Sequence, residues 1–277
     1  MKKTLLNFAN EISKVPKVLV IAGFDPSSGA GISLDIKVLR SIGCYSIVAI
    51  TSLTIQNTSK VYNSQSVDPI FFEDQFRMIV EDVGKEDIKS VKIGLIGDLK
   101  IAQVLKSLLE EYKLKNVVFD PVLISTSGYN FTKNELFQFL KHEFLKVCDV
   151  ITPNKIEAER IFEIVIPEDI SDETVLKILE KMKKLGIKNC IVKGGHFLKN
   201  IAEDVLITEE ETVRLSSKKM NLADEVHGTG CLFSSALAGY LAQNVQLRKA
   251  FKLTKIFVTK QIKQTLKIGN GKFVLNP

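Results

Sequence analysis

Two hydrophobic rhythms alternate from one end of the chain to the other. Short runs in which nearly every residue is apolar, many of them β-branched, give way to longer stretches with apolar residues every three or four positions. Residues 17–22 (KVLVIA), 45–51 (YSIVAIT), 90–95 (SVKIGL), 116–119 (NVVF), 149–151 and 190–193 (CIVK) have the continuous apolar character of strands buried on both faces. Residues 32–42, 98–112, 133–146, 154–164, 172–185 and 229–242 carry helical spacing. Strand followed by helix, repeated, predicts an α/β fold of parallel βαβ units with right-handed crossovers. Residues 204–208 and 212–216 predict a hairpin attached to the sheet. No internal repeat and no linker rich in Pro, Gly or Ser interrupts the pattern. Residues 17–277 are therefore expected to form a single domain behind a short amphipathic leader, residues 1–16.

Composition narrows the function classes. With 277 residues, 45% hydrophobic and 25% charged, the chain is neither disordered nor of low complexity. No apolar run approaches the roughly 18 residues of a membrane span, so no membrane partner is expected. The N-terminus looks superficially like a signal peptide, but Asn7, Asn10 and Glu11 break its apolar stretch and no cleavage site follows. Cys44, Cys148, Cys190 and Cys231 are scattered, with no C-x-x-C pair, so neither a zinc cluster nor a disulfide framework is suggested. A reducing, cytoplasmic location fits. The net charge is +6, yet residues 245–277 hold eight basic and no acidic residues, leaving the rest of the chain at −2. That excess sits on a helical stretch, 247–267, whose Phe251, Val258, Ile262 and Leu266 share an apolar face. The lysines read as its solvated side, with weak attraction of anions as the alternative, and no nucleic-acid partner is expected.

Candidate chemistry clusters where an open α/β sheet binds ligands, beyond the carboxyl ends of its strands. Residues 23–31 (GFDPSSGAG) join a strand to a helix through a glycine-rich turn that lets backbone N–H groups approach a ligand. The string is neither a dinucleotide fingerprint nor a Walker A loop. Asp35, four residues on, either faces back to that loop or is a solvated helix carboxylate. Residues 227–231 (HGTGC) remove side chains where a helix begins, so unpaired amides and the positive dipole end face an anion. Cys231 falls in that first turn, a place where thiol pKa values are lowered. Asp120 in DPV ends a strand, and Asn154 and Glu157 open a helix. Such carboxylates either orient Mg²⁺ beside phosphates or, for Glu157, complete a capping box. Lys193 in VKGGH puts a cation at the same edge, suited to neutralising phosphate, with His196 close behind. Gln56 in TSLTIQNT offers a donor and an acceptor to a heteroaromatic ring edge, or is a solvated loop residue.

AGFDPSSGAG, QNT, KIG, VVFDPV, ITPNKIEAE, VKGGH and HGTGC, in this order and over about residues 17–270, resemble the ribokinase-like superfamily, specifically its hydroxymethylpyrimidine/phosphomethylpyrimidine kinase branch. The resemblance implies a three-layer α/β/α sandwich with a mostly parallel central sheet and a small β flap. It implies ATP-dependent, Mg²⁺-dependent phosphorylation of 4-amino-5-hydroxymethyl-2-methylpyrimidine and of its monophosphate, and a homodimer. Gly23, Ala30, Asp35 and Gln56 would hold the pyrimidine, with Val122 packed on the ring. Gly228, Thr229, Gly230 and Cys231 would form the anion hole, with Cys231 and Lys193 catalytic. Asp120, Asn154, Glu157 and Lys193 would handle the ATP phosphates, Asp120 and Glu157 holding Mg²⁺, through water. The chain departs from the family in reading LISTSG, with Thr126 where a lysine is common. Its tail, GNGKFVLNP, replaces the usual G-x-G-x-G-P ending in Asn-His. Pyridoxine or pyridoxal phosphorylation is the neighbouring alternative, and a non-catalytic pyrimidine-binding protein the alternative of another class.

Overall fold

Val18 to Ala22 are wholly buried, and the strand they form, β1 (Lys17–Phe24), lies inside a nine-stranded sheet. The structure is a computed structural model describing residues 15–125, 127–167, 170–194, 201–218 and 226–277. β2 (Tyr45–Gln56) and β4 (Ile88–Ile93) flank β1 in parallel, and β5 (Val117–Phe119), β6 (Val150–Ile151) and β7 (Cys190–Val192) continue the parallel run. The edges are antiparallel: β3 (Val61–Ser66) on β2, and β8 (Ile201–Ile207) with β9 (Thr212–Lys218) beyond β7. The order is β3-β2-β1-β4-β5-β6-β7-β8-β9.

Side chains alternate along β1 and so divide the core into two layers. Leu19 and Ile21 pack with α2 (Pro69–Val83), α3 (Leu99–Tyr112), α5 (Lys155–Phe162) and α6 (Asp172–Leu185), through Phe72, Phe76, Leu105, Ile161 and Ile178, and with the short α4 (Asn134–Phe139) through Leu136. Val18, Val20 and Ala22 pack on the other face with α1 (Gly31–Ile42), α7 (Thr229–Ala242) and α8 (Leu247–Ile262), through Leu39, Leu237 and Phe251. The result is a helix–sheet–helix sandwich with a mostly parallel sheet. Among the described residues no helix is long and apolar enough to cross a membrane.

Every expected strand and helix is present, with two differences. The mostly parallel sheet and the expected hairpin are both found, the hairpin as β8 and β9 at one edge. The helix expected over 133–146 is regular only to Phe139; a π-helical turn (Leu140–Phe144) and a 3₁₀ turn (Leu145–Val147) complete it. α8 stops at Ile262, and the chain beyond it returns as β11 (Phe273–Val274), parallel to β10 (Val226–His227). β3 and α2 are additions. Asp68 caps α2, accepting from the Ile70 and Phe71 amides, with Pro69 at its first position. Beyond Ser52, β2 and β3 leave the core behind as a flap, with Leu53, Ile55 and Tyr62 all more than half exposed.

Candidate active site

The carboxyl ends of β1, β4, β5, β6 and β7 all open on one side of the sheet, so side chains distant in sequence meet there. Asp120 follows β5 and Lys193 follows β7; Lys193 Nζ stands 2.5 Å from Asp120 Oδ1. Thr152 Oγ1 donates to the same oxygen at 3.2 Å, and Ser234 Oγ of α7 donates to Oδ2 at 3.3 Å. Lys193 is held in place by its own amide, which donates to Pro153 O at 2.9 Å. Its side chain keeps 12% of its surface open, against 3% for Asp120. Burial works against its charge, but Asp120 and Glu157 outweigh that and hold the ammonium above the ordinary lysine range.

Glu157 takes the capping role and also stands beside the ion pair. A reciprocal capping box opens α5: Asn154 N donates to Glu157 Oε2 at 2.8 Å and Glu157 N to Asn154 Oδ1 at 2.9 Å. The same carboxyl is buried beside Lys193 and Asp120. Burial pushes its pKa up, Lys193 pulls it down, and Asp120 adds to the rise.

α7 begins at the same place. Gly228 caps it with φ 87°, a left-handed conformation suited to glycine, and a side chain there would drive into the Gly29 carbonyl. A Cβ on Gly230 would stand 3.2 Å from Lys193 Nζ and 3.3 Å from Asp120 Oδ2, so this glycine leaves open the space next to the ion pair. Cys231 lies in the first turn as expected, but its thiol is not activated. Burial pushes it up to about 11, with Lys92 opposing and Asp35 and Asp120 adding to the rise. The helix dipole falls off within a turn and is outweighed by desolvation.

Two carboxylates beneath the loops, Asp35 and Asp25, tie elements together. Asp35 is neither solvated nor open to the cleft. It is fully buried, with Lys92 Nζ 2.7 Å from Oδ2 and Ser235 Oγ 2.6 Å from Oδ1. Asp35 thus bonds α1 to β4 and α7. Lys92 is also fully buried. Burial disfavours its charge, but Asp35, with Cys231 and Asp120, overrides this and holds the proton above the ordinary range. Asp25 knots the glycine-rich loop: Oδ1 accepts from Ser27 N and Ser27 Oγ, each at 2.8 Å, and Oδ2 from Ala30 N at 2.9 Å. His227 Nε2 lies 3.1 Å from the same Oδ2, tying the strand before α7 to this loop.

Gln56, at the end of β2, lines a cavity of about 400 Å³ with Pro26, Ser27, Thr58, Gly269 and Asn270. Gly23 is buried, with Ser52 Oγ and Leu95 packed where a Cβ would go. Ala30 and Val122 are half-buried at the ends of α1 and β5. Thr126, His196 and residues 1–14 of the leader lie outside the described residues. Reading the sequence did not single out Lys92, Asp25, Ser234 or Ser235. The signal for Lys92 was a charge between two apolar residues, Val91 and Ile93, in the interior of a strand.

The family model described as phosphomethylpyrimidine kinase matches residues 25–276. A hydroxymethylpyrimidine/phosphomethylpyrimidine kinase of Aquifex aeolicus is 38% identical over 254 residues, 91% of this chain and 96% of that one. A phosphomethylpyrimidine kinase structure from Clostridium difficile 630 superposes at a TM-score of 0.76 and 32% identity, covering 90% of this chain and 100% of that one. The ADP complex of Bacillus subtilis pyridoxal kinase superposes at 0.82 and 27% identity, covering 95% and 97%. Matched over almost all of its length in sequence and in fold, the chain belongs to the phosphomethylpyrimidine kinase family and is a phosphotransferase.

Proposed function

We propose that the chain transfers the γ-phosphoryl group of ATP to the hydroxymethyl oxygen of 4-amino-5-hydroxymethyl-2-methylpyrimidine, then phosphorylates the resulting monophosphate, supplying the pyrimidine half of thiamine. The observation that carries this reading is the Asp120–Lys193 pair beside Gly230, at the positive end of α7. Phosphoryl transfer needs positioning and charge stabilisation more than covalent help, and this corner supplies both. The amides of Gly228, Thr229, Gly230 and Cys231 face the transferring group, and Lys193 neutralises phosphate charge. Asn154 holds the turn that presents Glu157. Asp120 and Glu157 form an all-oxygen pair next to a cation, which suits Mg²⁺, an ion that keeps its waters and takes one or two carboxylates beside phosphate oxygens. When bound, Mg²⁺ supplies further charge neutralisation there.

On the pyrimidine side, Gln56 reads the ring edge with its amide, while Gly23, Ala30 and Val122 shape the wall. Asp35 acts from beneath, holding α7 in register. Because burial raises its thiol, Cys231 serves as hydrogen-bond partner of the substrate hydroxyl rather than as a standing thiolate. As the hydroxyl oxygen bonds to the γ-phosphorus, the bond from that phosphorus to the departing ADP breaks, and the hydroxyl proton passes to an oxygen of the transferred phosphoryl group.

A second reading, pyridoxal phosphorylation, is favoured by the close superposition on Bacillus subtilis pyridoxal kinase. Side-by-side kcat/KM values decide between them. The pyrimidine is expected to lead by about 10²-fold, near the upper end of the cost of leaving one buried ring-edge hydrogen bond unmade; a lead for pyridoxal would reassign the substrate. Residues 17–277 are read as one kinase domain and, from the family likeness, as a homodimer. The four cysteines, all free in the structure, suit a reducing cytoplasm.

A further inference from the structure

The C-terminal segment does more than end the chain. Leu266 and Val274 exchange backbone hydrogen bonds of 2.9 Å in both directions, closing residues 266–274 into a hairpin. Its tip lies on the flap. Lys272 N donates to Thr58 O at 2.9 Å, and Gly271 N donates to Thr58 Oγ1 at 3.1 Å. Gly271 is pressed so closely onto the Thr58–Ser59 peptide that any Cβ would overlap its backbone atoms, and Gly269 packs on the Thr58 side chain. The base of the hairpin is tied to the catalytic side: Phe273 and Val274 pair with Val226 and His227, immediately before the Gly228 cap of α7.

Among the described residues the flap's outward side chains have no core behind them; Val61 N donates to Ser127 Oγ at 3.3 Å and, nearer the base, Thr54 Oγ1 donates to Phe24 O at 2.9 Å. Gly269 and Asn270 of the hairpin and Gln56 and Thr58 of the flap line the same cavity. Flap and tail together therefore form a wall of the space next to Gln56.

We propose that the hairpin 266–274 is a latch for the flap, that Gly271 and Thr58 set it, and that latching closes the substrate pocket while linking it to the start of α7. The proposal rests on the kinase reading for the identity of the substrate, not for the latch itself. A latched flap keeps Gln56 against the ring and keeps water from competing with the substrate hydroxyl for the γ-phosphorus. With the latch released, water's oxygen bonds to that phosphorus instead, ADP leaves, and inorganic phosphate is the product.

The test uses the full chain and two variants. Gly271→Ala forces the tail off the Thr58–Ser59 peptide, and Thr58→Val removes one hydrogen bond with little change of shape. Two readouts are taken: amide hydrogen exchange of residues 271 and 272, whose N–H groups donate the two latch bonds, in the apo protein, and steady-state kinetics with hydroxymethylpyrimidine, including ADP released per phosphorylated product. Loss of both bonds in Gly271→Ala should raise exchange at the tip, and KM for the pyrimidine, by about tenfold or more, at typical net hydrogen-bond strengths. Thr58→Val should move both by about threefold to fivefold, with KM for ATP within about twofold of the parent in each variant. The ADP-to-product ratio should rise above one. Unchanged exchange in both variants overturns the latch whatever the kinetics show. Faster exchange with an unchanged pyrimidine KM and tight coupling overturns its link to the pocket. If the parent does not phosphorylate the pyrimidine, the substrate reading fails, while faster exchange in the variants still supports the latch.

Discussion

Two Lys–Asp pairs flank α7, one joining β4 to α1 and the other joining the ends of β5 and β7, and they are built for different ends. Lys92 and Asp35 are both wholly buried, and Ser235 takes the remaining carboxylate oxygen. Lys193 and Asp120 have nearly the same separation, and Ser234 donates to Asp120 one residue earlier on the helix. What differs is access: Lys193 reaches solvent beside Gly230, whereas Lys92 reaches none. A sealed pair cannot exchange its partner for a ligand, so its work is to fix α1, β4 and α7 relative to one another. An open pair can release its lysine to a phosphate. The same two residue types thus serve architecture on one side of the helix and chemistry on the other.

The largest expected effect breaks the sealed pair. Lys92→Met leaves a buried carboxylate without its cation and should cost about 3–5 kcal/mol of folding stability, read by chemical denaturation. A loss below about 1 kcal/mol, the usual scale of a solvent-exposed pair, would mean the pair is not sealed in solution. Lys193→Met should do the converse. Its kcat should fall by about 10²–10³-fold, the scale for removing one transition-state contact, with a much smaller change in stability than Lys92→Met. Equal destabilisation by both variants would erase the distinction.

Cys231 sharpens the comparison, because it lies close enough to both pairs to feel Lys92, Asp35 and Asp120. Cys231→Ala should lower kcat by about 10²-fold with KM for ATP nearly unchanged. With the thiol pushed up to about 11, alkylation of Cys231 by iodoacetamide should be slow near neutrality and climb steadily as the solution is made alkaline. Rapid alkylation near neutrality would show a thiolate and restore the first-turn expectation.

The smallest effect concerns Asp25. Burial works to raise its pKa, but hydrogen bonds from His227 and Ser27 outweigh it and hold the carboxyl below the usual range. A depressed folded-state pKa contributes stability above the unfolded value and loses it as pH falls through the folded value. Asp25→Asn should therefore lower Tm near neutrality, by an amount equivalent to about 1–3 kcal/mol. The gap should narrow as pH falls below the ordinary aspartate value of 3.8. A gap independent of pH would remove the charge from the explanation.

How far the sequence could be read depended on whether a residue's partner is local. Asn154 and Glu157 are three apart, so the capping box was legible in ITPNKIEAE. Gly228 and Gly230 announced themselves because a helix start needs bare backbone to meet an anion. Asp35 could not be placed, because Lys92 lies 57 residues away and Ser235 lies 200 away, and only the sheet brings them together. Cys231 lies in the helix first turn where the local pattern put it, but the packing around it, which pushes its thiol up, comes from residues distant in the chain. β3 is polar and half exposed, VYNSQS, so it lacks the apolar run that marks the interior strands. α2 did carry a signal, the Asp68–Pro69 start with Phe72, Phe76 and Val80 on one face, but Phe71 and Ile70 on the exposed side blur its periodicity.

The central claim is that phosphoryl transfer to a hydroxymethylpyrimidine occurs at the Lys193 side of α7. The direct measurement is mass-resolved product analysis of the purified chain and of Lys193→Met, each with Mg²⁺-ATP and 4-amino-5-hydroxymethyl-2-methylpyrimidine. The expected result is pyrimidine monophosphate followed by diphosphate from the parent, and neither from a stably folded Lys193→Met in the same time. Phosphorylated pyrimidine appearing equally fast from both proteins, or from neither while ATP is still consumed, would contradict it.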